Sequence, residues 1–144
     1  MTPQQTRMRR AGAVLIAFGV GFALLALPFL NAGAKPFLQL AYWPMQPDAA
    51  VISAPVPLLV GIAGGLTAGL GAMLWAVATQ VVPVSPMAGA KVVRTTAWVW
   101  YVVDSTASIA AGAPFNAVLN LGFLAIMLWA CRLERTADTE ISLS

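Results

Sequence analysis

The chain alternates long apolar runs with short polar ones. Residues 11–30, 55–82, 92–111 and 114–131 form four apolar runs. The first, second and fourth hold no charged residue, and the third holds only Arg94 near its start and Asp104 in its body. At about 1.5 Å per helical residue, even the shortest run reaches about 27 Å, against a hydrocarbon layer of about 30 Å. The pattern predicts an all-α fold, an integral membrane up-and-down four-helix bundle with the second and third spans at its centre. The fourth span is short, so it needs little tilt or some local thinning of the bilayer.

The connections differ in kind. Residues 1–10 are polar and basic, and Pro28 with Asn31-Ala32-Gly33 ends the first span. Residues 31–54 form an aromatic, proline-rich connection, in which 36–43 predicts a short helix lying at the membrane interface and anchored by its rings. Residues 83–91 predict a loop, with Lys91 and Arg94 at the entrance of the third span. Gly112 and Ala113 predict a tight turn, because glycine suits a helix stop and Pro114 suits a first helical turn. Residues 132–144 form a polar tail. A second reading of the N-terminus stands beside the first. A basic segment, an apolar run and Ala32-Gly33-Ala34 also fit a cleaved secretory signal over 1–34.

The second span carries a packing signal. Gly61, Gly65 and Gly69 recur every four residues, flanked by Gly64, Ala68 and Ala72. Lipid tails are as apolar as leucine, so membrane helices associate by close contact, which small residues allow. Gly12, Gly19 and Gly21 permit close packing of the first span in the same way.

Composition narrows the class. Hydrophobic residues make up 60% of the chain and charged ones 9%, where soluble domains carry about 25% charged residues. There is no histidine, which removes the commonest metal ligand and general base. Cys131 stands alone, so no intrachain disulfide or cysteine zinc site forms, and it reads as inert packing. The net charge of +3 is the excess expected of cytoplasmic loops rather than of a nucleic-acid partner. Arg7, Arg9, Arg10, Lys91, Arg94, Arg132 and Arg135 fall on one side of a four-span topology and only Lys35 on the other. Both termini are therefore expected in the cytoplasm of a bacterium, with the chain a multi-pass protein of the inner membrane and the 31–54 connection periplasmic.

Polar groups at membrane depth gather between Trp98 and Asn120. A carboxylate at the centre of a span costs about 2.5–3.5 kcal/mol and less near an interface, so Asp104 should face the bundle and find partners. Tyr101 at i−3 and Ser108 at i+4 share its helix face. Asn116 and Asn120, one turn apart on the fourth span, can approach across the turn. Three roles can be set against this cluster. It clamps the hairpin, it is a proton- or ligand-binding site open to the periplasmic side, or, least favoured, Asp104 is the general acid or base of an enzyme. Ser105 and Thr106 read as packing hydroxyls. No nucleophile–base pair and no metal constellation accompanies Asp104, so no catalytic residue, metal or cofactor is expected. The expected function is that of a non-enzymatic component of a membrane complex or homo-oligomer, with the lipid bilayer as its constant partner. The alternative is binding or transport of a lipid-soluble ligand or ion through Asp104.

The motifs W-x-x-x-D-S-x-x-S (Trp100, Asp104, Ser105, Ser108) and G-x-P-x-N-x-x-x-N (Gly112, Pro114, Asn116, Asn120) follow the glycine-rich second span. With them, the chain resembles small bacterial four-helix membrane proteins loosely similar to the DoxX-like group. The resemblance implies an inner-membrane four-helix bundle and carries no established activity. Some DoxX-like proteins are associated with quinone-linked redox complexes. This chain, lacking histidine and holding one cysteine, departs from what a redox centre needs.

Overall fold

A computed structural model describes residues 1–44 and 55–133. The described residues are helical and contain no strand. The helices are α1 (Pro3–Leu24), α2 (Ala34–Ala41, entered through a 3-10 turn at Asn31–Gly33), α3 (Pro55–Ala76, continued by a wide π turn at Val77–Val81), α4 (Pro86–Ala110) and α5 (Pro114–Ala130). The remainder of the 31–54 connection and the tail beyond 133 lie outside the described residues.

Two helix starts differ from the sequence expectation, and each has a capping reason. α1 begins at Pro3, within the segment expected to be a basic tail. Thr2 caps it, its hydroxyl accepting from the Gln5 backbone N–H while the Gln5 side chain accepts from the Thr2 N–H. That reciprocal pair satisfies two of the open N–H groups of the first turn. α4 begins at Pro86, so most of the expected 83–91 loop is helix. Ser85 accepts from the Ala88 N–H, and Pro86 has no N–H to leave unpaired.

The first span also stops earlier than expected. α1 ends at Leu24, and residues 25–30 form successive turns. Pro28 accounts for this, because its ring excludes an N–H and disfavours helical backbone in the residue before it. The 36–43 helix is displaced by two residues and occupies Ala34–Ala41. At the far end of α3, the Thr79 hydroxyl bonds to the Trp75 and Ala76 carbonyls at 3.0 and 3.2 Å. Val82 reaches back to the Val77 carbonyl, widening the last turn before Pro83.

These boundaries change the span arithmetic. Among the described residues one helix, Pro55–Val81, is long and apolar enough to cross a membrane. α1 takes up Arg7, Arg9 and Arg10 and loses residues 25–30. α4 extends back to Pro86 and takes up Lys91 beside Arg94. α5 is apolar but has 17 residues.

The packing is pairwise rather than centred on the second and third spans. α1 packs most extensively on α3, and α4 on α5; contacts of α1 with α5, and of the π turn that continues α3 with α4, join the two pairs. Of the most apolar stretch of α3, 22% is buried. Glycines explain the first pair. Gly12 and Gly19 of α1 face Gly71 and Gly64 of α3. A Cβ on Gly12 would lie 2.7 Å from the Gly71 carbonyl oxygen, and one on Gly71 would lie 2.6 Å from that of Gly12. The second pair repeats this, with 2.5 Å from Gly19 to the Gly64 oxygen and 2.6 Å in return. Both helices space these glycines by seven residues, two turns, so one antiparallel seam holds both contacts. The Gly61, Gly65 and Gly69 stripe lies elsewhere on α3. A Cβ at Gly65 or Gly69 meets nothing within 4 Å, and one at Gly61 only touches Ala26 at 3.4 Å. The stripe is thus not the seam of this bundle.

The core is densest toward one end. Met8, Leu15, Leu74, Val82, Val93, Met127 and Cys131 are fully buried there. Cys131 bonds through its sulfur to the Leu128 carbonyl oxygen at 3.3 Å. The same end gathers the basic residues. Arg7 donates to the Arg132 carbonyl at 2.6 Å, Gln4 donates to the Pro86 carbonyl at 3.1 Å, and the Arg9 guanidinium lies 4.5 Å from the centre of the Trp75 ring. These contacts bring the start of α1, the end of α3, the start of α4 and the end of α5 together, as an up-and-down arrangement requires.

Candidate functional site

The opposite end is the α4–α5 hairpin. Gly112 takes φ +78°, a left-handed conformation that carries little penalty only for glycine. The turn is closed by Ala113 N–H to Ser108 carbonyl at 2.9 Å, and Pro114 opens α5 at once. The two helices then run side by side, so residues equally far from Gly112 come level.

Asp104 sits on the face of α4 that meets α5. One of its oxygens, Oδ1, accepts three hydrogen bonds: from the Ser108 hydroxyl at 3.2 Å, the Asn116 amide at 3.3 Å and the Asn120 amide at 3.1 Å. Asn116 also donates to the Ser108 hydroxyl oxygen at 2.8 Å, and Asn120 to that of Ser105 at 3.5 Å. Each amide nitrogen thus directs both of its hydrogens into the cluster, and Ser108 gives its one proton to Asp104 while accepting from Asn116. The carboxylate fixes which way the two amides point, since a carboxylate oxygen can only accept.

Four of the five residues expected here, Asp104, Ser108, Asn116 and Asn120, share one network. Tyr101 does not join it. Its ring packs against the apolar core and meets Trp98 edge-on at 6.2 Å between centroids. The i−3 spacing gives it a neighbouring position on the helix but does not bring its hydroxyl to Asp104. Ser105 takes part instead, buried at the helix contact. Its signal was present in the sequence, since Ser105 lies four residues from Tyr101 on the core-facing side of α4, but a hydroxyl beside a carboxylate reads equally well as packing.

The walls around the network are aromatic and apolar. Trp43, just beyond α2, meets Phe115 edge-on at 5.5 Å. Phe123 of α5 meets Phe18 of α1 at 5.0 Å and Trp100 of α4 at 6.2 Å. Phe37 of α2 meets Phe22 of α1 at 4.8 Å. The rings of the first connection therefore rest on α1 and α5 beside the hairpin. Among the described residues no group of three or more acidic, cysteine or histidine side chains can hold a metal ion. Comparison with known protein families, with curated proteins and with solved structures finds no match.

Proposed function

We propose that the chain is a multi-span protein of the bacterial inner membrane with both termini in the cytoplasm, where it is a non-enzymatic component that assembles with itself or with a larger membrane complex. The observation that carries this reading is the outward apolar surface on every long helix. Val14, Phe18 and Val20 of α1, Leu58, Leu59, Ile62 and Leu66 of α3, Val99, Val102, Val103 and Ile109 of α4, and Val118 and Leu121 of α5 are all exposed. Apolar surface spread over several helices, rather than confined to one patch, asks for a hydrocarbon surrounding. The basic end supports the orientation. Read this way, α1, α3, α4 and α5 are the four spans, which suits the loose resemblance to DoxX-like four-helix membrane proteins.

The open glycine face of α3 supports the assembly role, because Gly65 and Gly69 leave room for another helix to approach closely. Native mass spectrometry of the protein released from nanodiscs tests this reading. A homo-oligomer, or a defined complex when the protein is extracted from its own membrane, is the expected result. A lone monomer in both preparations contradicts it.

One observation favours a second reading, in which the hairpin binds a small ligand from the periplasmic side. The three donors around Asp104 converge on a single oxygen, leaving the other out of the clamp.

A further inference from the structure

We infer that the hairpin cluster is a binding site for a small monovalent cation, with Asp104 Oδ2 as its principal acceptor. This rests on the ligand-binding reading and names the chemical class of its ligand.

The first support is an imbalance between donors and acceptors. The amide hydrogens of Asn116 and Asn120 and the hydroxyl proton of Ser108 are all used within the cluster. Asp104 Oδ1 takes three of these bonds. Oδ2 takes none among the described residues, and neither do the amide oxygens of Asn116 and Asn120. None of these three oxygens is sealed from the surroundings, although Asn120 as a residue is only 5% exposed. Only the Ser105 hydroxyl proton is left over as a donor against three unused acceptor oxygens, an excess that suits a ligand bringing positive charge or donors.

Charge is the second support. Asp104 is the only acidic residue among the described residues, and it forms no ion pair with a described lysine or arginine. Arg7, Arg9 and Arg132 are held at the opposite end of the bundle. The exposed surface beside Asp104 on α4 is mostly apolar, with Val99, Val102, Val103 and Ile109, and holds one hydroxyl, Thr106. Lys35, the one basic residue expected on the hairpin side, forms no ion pair with Asp104 among the described residues, so an external cation can supply the counter-charge. The third support is that the two functions use separate atoms. Oδ1 holds the hairpin while Oδ2 meets the ligand, so a cation can enter and leave without opening the clamp. The shared chemistry is one positive charge on a small centre, whether an alkali ion or a protonated amine.

The test uses the full chain carrying Asp48→Asn and Asp138→Asn, made with aspartate labelled with carbon-13 at the side-chain carboxyl, so that Asp104 is the only labelled carboxyl. The protein is placed in phosphatidylcholine nanodiscs, and the carboxyl resonance is followed while sodium chloride or methylammonium chloride is added. A saturable shift with either salt, absent with N-methyl-D-glucamine chloride at equal ionic strength, is the expected result. A response to only one of the first two identifies the source of the charge. No shift with either, or the same gradual drift with all three salts, overturns the inference. A parallel titration with 1-octanol, a neutral hydrogen-bond donor, separates the two levels. A shift with octanol alone rejects the cation and retains a ligand site, and no response to any addition rejects both.

Discussion

The two main helix contacts are built on opposite principles. The α1–α3 seam contains no polar side chain at its closest points. It depends on missing atoms, since Gly12, Gly19, Gly64 and Gly71 let two backbones approach where a single Cβ would collide with a carbonyl oxygen. The α4–α5 contact depends on atoms that are present, with three donors gathered on one carboxylate oxygen. In the membrane setting we propose, neither contact draws on the hydrophobic effect. The first is intolerant of added volume and indifferent to charge, whereas the second tolerates isosteric change and responds to lost hydrogen bonding. The polar contact sits near the hairpin end, where burial of a carboxylate costs less, and leaves one oxygen for other use.

Breaking the glycine seam should have the largest effect. Gly19→Leu or Gly64→Leu would drive side-chain atoms into the partner backbone, which cannot give as a flexible side chain would. Overpacking of this kind costs about 1–3 kcal/mol and sometimes more, and here the upper end or loss of the folded state is expected. Unfolding in mixed detergent micelles followed by circular dichroism measures it, and a variant as stable as the parent would mean that this seam does not hold α1 to α3.

The clamp should come next. Asp104→Ala removes the acceptor of two bonds between helices, from Asn116 and Asn120, and of one within α4, from Ser108; at about 0.6 kcal/mol for each bond between membrane helices, a loss of about 1–2 kcal/mol is expected. Asp104→Asn keeps one carbonyl oxygen for the same donors and should lose less than half of that. Equal losses for the two variants would show that charge, rather than hydrogen bonding, holds the hairpin.

The smallest effect is expected on the outer stripe. Gly65→Ala and Gly69→Ala meet open space, so stability should stay within about 0.5 kcal/mol or rise slightly, because alanine favours a helix more than glycine does. If these variants leave the fold unchanged but lower the oligomeric state, the stripe serves assembly. If they destabilise the monomer, the division between seam and stripe is wrong.

Much of the fold is legible in the residues, and the errors have physical causes. Gly112-Ala113-Pro114 defines its turn because a left-handed residue followed by a proline leaves the chain few alternatives. Asp104, Ser108, Asn116 and Asn120 could be brought together from helical spacing alone, since a hairpin with so short a turn fixes which residues come level. Hydropathy does not place the helix starts at Pro3 and Pro86, because it tracks burial and not backbone capping; Thr2 with Gln5 and Ser85 with Pro86 carry that signal. The four-residue glycine repeat stands out on one helix, yet within the chain a Cβ at Gly65 or Gly69 meets nothing, and the α1–α3 seam uses Gly64 and Gly71 instead. The matched seven-residue spacing of Gly12 with Gly19 and of Gly64 with Gly71 becomes visible only when two helices are compared. Pairwise packing order depends on such matches and lies beyond any single helix.

The central claim, a membrane bundle with its hairpin turn outside and its basic end inside, is tested most directly by site-directed labelling in intact bacterial cells. In a Cys131→Ser background, a cysteine placed at the exposed Ala111 should react with a membrane-impermeant maleimide added from outside, whereas one placed at the exposed Val84 should react only after the inner membrane is permeabilised. Labelling of both positions from the same side, or recovery of the protein in the soluble fraction, would contradict the account.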